Sequence, residues 1–139
     1  MSDLDELIAS TRNGVLVALK RDGRPQLSNV THLYEPERKL IRVSSTADRA
    51  KVANLRRDPR GSLYVTSPDF RRYAVAEGRV EVTPTSADPH DATVEELIEV
   101  YRAVAGEHPD WEDYRAAMVR DGRVVIRLHV ERVYGARGW

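Results

Sequence analysis

The sequence predicts a mainly β protein, β with flanking α, built as an antiparallel barrel of about six strands with helices on its flank. Three observations lead there. Strand-like segments fall into two groups separated by helical ones, without the regular β-α-β alternation of a doubly wound parallel sheet. Asp22-Gly23 links two such segments with the dipeptide that tolerates the positive φ of a tight hairpin. A long later strand carries Gly78, a bend of the kind that a barrel corner needs.

In order along the chain, Ser2 caps a first helix on which Leu4, Leu7 and Ile8 recur at helical spacing, ending near Arg12-Asn13-Gly14. Val15 to Lys20 reads as a strand, and its partner runs from Arg24 to Tyr34 with Pro25 near its start. Glu35-Pro36-Glu37-Arg38 turns the chain into a third strand, Lys39 to Ser44. Asp48 then caps a helix through Arg57 that buries Val52 and Leu55 and stops at Asp58-Pro59. Strands Gly61 to Thr66 and Arg72 to Thr83 follow, and Pro84 to Pro89 is a linker. Thr93 opens an amphipathic helix with Val94, Leu97, Ile98, Tyr101 and Val104 on its buried face and Glu95, Glu96, Glu99 and Arg102 outward. Gly106 to Pro109 breaks it, Asp110 to Arg120 forms another helix, and Arg123 to Tyr134 is the last strand. A single domain over residues 1–139 is expected.

Composition narrows the function. Hydrophobic residues make up 41% and charged residues 32%, enough for one core and too polar for a membrane span. The acidic N-terminus lacks the order of a secretion signal, so a cytoplasmic protein with no membrane partner is expected. Lys+Arg and Asp+Glu both total 22, and this balance argues against nucleic acid held by bulk charge. With no cysteine there is no disulfide, thiolate metal site or thiol nucleophile, and His32, His90, His108 and His129 have no metal-site spacing. His32 and His129 lie in strands that can bring them together in space, with packing or pairing roles favoured over a shared site. No dinucleotide fingerprint, phosphate-binding loop or nucleophile elbow occurs, and the paired Glu95-Glu96 sits on a solvated face. No side chain is therefore assigned as catalytic; if the chain is an enzyme, a bound cofactor carries the chemistry.

One segment stands out. Five of the 22 basic residues (Arg49, Lys51, Arg56, Arg57 and Arg60) fall between positions 49 and 60. Arg49 and Lys51 occupy the first turn of a helix, where the macrodipole disfavours cations by roughly 0.3–1 kcal/mol each. A strand–loop–helix junction offering amides, hydroxyls and two cations suits a phosphate or carboxylate ligand, and it also suits a solvated basic face. The excess of Arg over Lys fits both bidentate anion binding and a GC-rich genome.

The same residues carry a resemblance. Arg24-Pro25-Gln26-Leu27-Ser28-Asn29-Val30, Arg49-Ala50-Lys51-x-x-Asn54-Leu55-Arg56-Arg57-Asp58-Pro59-Arg60 and Tyr73-Ala74-Val75-Ala76-Glu77-Gly78 resemble the class B deazaflavin-dependent oxidoreductases. That family belongs to the flavin-binding split β-barrel superfamily, with the pyridoxamine 5′-phosphate oxidases. Tyr101, Ala105 to His108, Trp111, Tyr114-Arg115 and Val133-Tyr134-Gly135 are similar too, so the match runs from about Leu7 to Tyr134. The resemblance implies a split barrel of the pyridoxamine 5′-phosphate oxidase type. The implied function is an F420H2-dependent reductase passing hydride to a small unsaturated acceptor, with FMN as the alternative cofactor. By resemblance Ser44, Arg49, Lys51 and Asn54 hold the cofactor phosphate, while Gln26, Ser28 and Asn29 lie along its ring. It further implies a homodimer with the cofactor in a groove between subunits, Leu27, Val30 and Leu33 being candidates for the interface or the core. Arg56, Arg57 and Arg60 reach an acidic tail or belong to the surface. Relatives often place an aromatic such as Trp where this chain has Phe70-Arg71-Arg72, a change that favours an anionic substrate. Two rivals remain open: an FMN-dependent oxidase or reductase, and a non-catalytic protein that binds flavin, deazaflavin or haem.

Overall fold

In the computed structural model, which describes residues 2–136, local chemistry sets the first elements much as expected. Helix α1 (Asp3–Ser10) starts in a capping box: the Ser2 hydroxyl accepts from the Asp5 N–H, and the Asp5 carboxylate accepts from the Ser2 N–H. Strands β1 (Asn13–Leu19) and β2 (Pro25–Thr31) form a hairpin closed by Gly23 at φ +88°. Pro25 begins a strand paired on one side only, so its missing N–H leaves the ladder intact.

The expected strand from Arg24 to Tyr34 is in fact two. At His32 the chain leaves β2: the His32 N–H donates to the Arg12 carbonyl, and its buried ring meets the Ile8 carbonyl at 3.0 Å. Strand β3 (Leu33–Glu35) then pairs at the opposite edge of the sheet with β4 (Leu40–Thr46). Between them Pro36–Arg38 makes a 3-10 turn. The chain continues through α2 (Ala50–Arg57), β5 (Arg60–Thr66), β6 (Tyr73–Val82), α3 (Ala92–Ala105), α4 (Trp111–Asp121) and β7 (Arg123–Ala136).

The seven strands form one antiparallel sheet in the order β2-β1-β5-β6-β7-β4-β3, curled into a half-barrel so that β2 approaches β4. Gly78 enforces part of this curvature. The β6–β7 register shifts between Glu77 and Gly78, and a Cβ at Gly78 would collide with the His129 carbonyl oxygen. Inside the curl, Leu16, Ile41, Leu63, Ile126 and Leu128 pack with Ile8 of α1 and Val52 and Leu55 of α2. Outside, α3 and α4 cover β4 and β7 through Val94, Leu97, Ile98, Tyr114 and Met118 around Val125.

Two helix starts differ from expectation. Arg49 occupies the N-cap of α2, without a side-chain cap bond, and Asp48 lies outside the helix. Asp91 caps α3, its carboxylate accepting from the Val94 N–H, while the Thr93 hydroxyl donates to the Pro84 carbonyl. Glu96, expected on the solvated face, is buried against the sheet because Arg42 and Arg127 wait there as partners.

Candidate functional site

The split between β2 and β4 opens a cleft of about 540 Å³. Asn29, Val30 and Thr31 form one wall, and Ser44 of β4, Lys51 of α2 and Arg123 of β7 supply a polar end. Leu97, Val100, Tyr101 and Val104 of α3, with Tyr114 and Met118 of α4, make the opposite wall apolar and aromatic. Such a cavity, mostly apolar with a few convergent polar groups, is the usual form of a small-molecule site.

Local folding explains the polar end. Ser44 faces outward on β4, two residues before Thr46, and the chain then turns into α2 with the Ala47 N–H donating to the Gly122 carbonyl at 2.8 Å. This turn sets Lys51 in the first turn of α2. Burial, then the neighbouring Arg49 charge, lowers the Lys51 pKa from the ordinary lysine value. Among the described residues no carboxylate lies within 4.0 Å of the Lys51 ammonium, a half-buried cation in a cleft without a counter-charge. Tyr114 is not a competing acid: its hydroxyl donates to the Leu97 carbonyl at 3.2 Å, and burial pushes its pKa up to about 12.

Of the seven residues expected to hold a cofactor, Asn29, Ser44 and Lys51 line this cleft. Arg49 stands beside it, exposed, donating from Nε to the Thr46 hydroxyl at 3.2 Å. Asn54 follows Lys51 by three residues on the same helix face and accepts from Arg57 at 3.0 Å. Gln26 and Ser28 sit on the inner face of β2, opposite Ala18 and Leu16. Gln26 Oε1 and Ser28 Oγ are sealed from solvent with no hydrogen-bond partner among the described residues, and neither residue lines the cleft. Arg56, Arg57 and Arg60 are occupied elsewhere, by the Thr83 carbonyl, the Leu19 carbonyl and the Asp58 carboxylate respectively.

Sequence reasoning missed Arg123, Thr31, Tyr114 and Met118 as lining residues. Tyr101 and Val104 were read as core, yet both line the cleft. Tyr101 packs edge-on against His108, Trp111 and Tyr114 with centroids 5.0–5.7 Å apart, which fixes the elbow between α3 and α4. The four histidines do not meet: His32 faces Ile8, and His129 faces Glu81. Among the described residues no group of three metal-ligating side chains comes together, and no helix is long and apolar enough to cross a membrane.

A second hollow of about 520 Å³ lies across β2, lined by Asn13, Gly14, Val15, Tyr64 and Thr66 together with the same Asn29, Val30 and Thr31. Beyond it, register aligns Asn29, Val15, Tyr64, Val75 and Tyr134 in a row across five strands on the outer face. Leu27 is 61% exposed there. At the end of the β5–β6 hairpin, exposed Phe70 adopts φ +65° beside exposed Arg71 and Arg72.

Comparison with known proteins agrees with this architecture. A conserved hypothetical protein of Mycobacterium tuberculosis superposes with a TM-score of 0.73 at 24% identity, covering 97% of this chain and 84% of that one. A structure described as an F420 reductase gives 0.71 at 22% identity, covering 96% of this chain and 98% of that one. A heme-binding protein of Mycobacterium smegmatis gives 0.71 at 21% identity, covering 98% of this chain and 53% of that one. At these identities the likeness is one of fold. The sequence itself matches the pyridoxamine 5′-phosphate oxidase family over residues 2–137. With the half-barrel and its cleft, that match identifies the chain as a member of this family of flavin-binding oxidoreductases.

Proposed function

We propose that the chain is an F420H2-dependent reductase acting on a small unsaturated acceptor. The observation that carries this reading is the uncompensated Lys51 cation in a cleft that also holds Ser44 and Asn29. An anionic group seated there gives the ammonium a partner and the hydroxyl an acceptor. Arg49 and Asn54 extend the same grip along the start of α2. Lys51, Ser44 and Asn29 together suit the polar part of a flavin or deazaflavin, while Gln26 and Ser28, on the inner face of β2, stand outside the cleft lining.

When bound, the reduced deazaflavin supplies the hydride. The chain's own residues bind, orient and keep the site dry. Lys51 and Ser44 fix the anionic end, while Leu97, Val100 and Val104 exclude water from the other wall. Deazaflavin is preferred to FMN because Lys51 and Arg123 line the cleft and Arg49 stands beside it, more cations than one phosphate needs. A solved F420 reductase also shares the fold.

A second copy of the chain covers the outer face around exposed Leu27 and half-buried Tyr64, closing the groove from the far side of β2. The cofactor assignment is tested by titrating purified protein with F420 and with FMN and following ring fluorescence. Affinity for F420 with reduction of an added acceptor is expected. Binding of FMN but not F420 overturns the assignment.

A further inference from the structure

Arg123 opens β7 opposite Thr46 in β4, so its side chain leaves the sheet on the face that carries Ser44. Its backbone is held in place, the N–H donating to the Ser86 hydroxyl at 2.9 Å and the carbonyl accepting from the Ser86 N–H at 2.8 Å. The side chain lines the same cleft as Lys51 and Ser44. Its Nε is sealed from solvent and meets no acceptor, and its ion-pair partner Asp121 stands at 3.8 Å, too far for a hydrogen bond. Among the described residues, Asp121 is the one carboxylate within 4.0 Å of Arg49, Lys51 or Arg123.

The Arg123 side chain is 30% exposed and donates no hydrogen bond among the described residues, so a ligand oxygen in the cleft gives its guanidinium a partner. Lys51 offers a point charge from α2, and Arg123 offers a planar fork from β7. Two cations of different shape, arriving from separate elements, match two neighbouring anionic groups better than one. We infer that Arg123 is a ligand-binding residue that makes the cleft selective for ligands with paired anionic groups, such as a diphosphate or a phosphate with an adjacent carboxylate. The inference rests on the anion-binding reading of Ser44 and Lys51, not on the identity of the redox ring.

Isothermal titration of the full chain with inorganic phosphate and with pyrophosphate tests it. Wild-type protein is expected to bind pyrophosphate about tenfold more tightly than phosphate. Arg123→Gln is expected to weaken pyrophosphate more than phosphate and so bring that ratio to within about twofold, and Arg123→Lys to lie between, because charge without the fork restores part of the contact. Thermal melting checks that each variant folds; should Arg123→Gln unfold, Arg123→Lys alone is expected to lower the ratio about threefold. An unchanged ratio in the variants, or a wild-type protein without the preference, overturns the inference. A lost preference in Arg123→Gln alongside failure to bind F420 removes the proposed cofactor and leaves Arg123 in its role.

Discussion

Glu96 on α3 accepts from Arg127 Nε on β7 through both carboxylate oxygens, each at 3.0 Å. Arg42 on β4 approaches the same carboxylate at 3.6 Å and is bonded to Glu35 at 2.6 Å, so one buried acid joins α3 to two strands. Removing its charge leaves two guanidinium groups partly uncompensated under the helix. Glu96→Gln is expected to lower stability by about 3 kcal/mol. Urea unfolding followed by circular dichroism reads this loss, and a change below about 0.5 kcal/mol would show that the network does not hold α3 in place.

Lys51 separates binding from stability. It contributes no ion pair within the described residues, so Lys51→Ala should leave the melting point almost unchanged while weakening cofactor affinity by about 10- to 100-fold. Arg56→Ala gives the opposite pattern, because Arg56 bonds the Thr83 carbonyl and lies outside the cleft. Fluorescence titration and thermal melting of both variants check this. An Arg56 variant that loses affinity as steeply as the Lys51 variant would contradict the assignment.

His32 gives stability a pH dependence. Burial, opposed by the hydrogen bond to Ile8, holds its folded pKa below the ordinary value of 6.5. Between the two values the unfolded chain binds more protons than the folded one, so stability rises with pH across that window. The contribution is complete above pH 6.5 and is lost as pH falls through the depressed folded value. Melting temperatures from pH 7.5 down to about 5.5 should fall for the wild type and fall less for His32→Gln. Parallel curves would remove His32 as the cause.

Gly78→Ala tests the barrel corner. Its new methyl meets the His129 carbonyl at the point where the β6–β7 register shifts. A loss of at least about 2 kcal/mol in urea unfolding is expected, since backbone rather than a flexible side chain must move. An unaltered midpoint would mean that the bulge tolerates a side chain.

The exposed outer face gives the last prediction. Leu27→Glu places a charge in the apolar row beside Val17, and sedimentation equilibrium should report about half the wild-type mass if two copies meet there. A wild-type protein that already sediments as a monomer, or a variant that stays dimeric, rules that contact out.

Local signals in the sequence were read well because their chemistry is local. Ser2 ahead of the first helix, Asp22-Gly23 and the bend at Gly78 each declare an element within a few residues. The break at His32 was invisible because strand-like residues continue from Val30 through Leu33, and only the Arg12 and Ile8 carbonyls draw the chain away. Helical periodicity put Glu96 in solvent because its partners, Arg42 and Arg127, are remote in sequence and arrive through β4 and β7. The cleft divides the same way. Ser44 and Lys51 belong to one recognisable segment, whereas Tyr101 and Arg123 join it only after the sheet order is set.

Asn29, Val30 and Thr31 act as a partition with a chamber on each side. The strand that carries them has a hydrogen-bonded neighbour along one flank alone, so little braces it against sideways displacement. A bulkier residue at position 30 takes room from both chambers at once, and an occupant pressing on either side is felt on the other. Tuning one compartment by substitution therefore reshapes its twin.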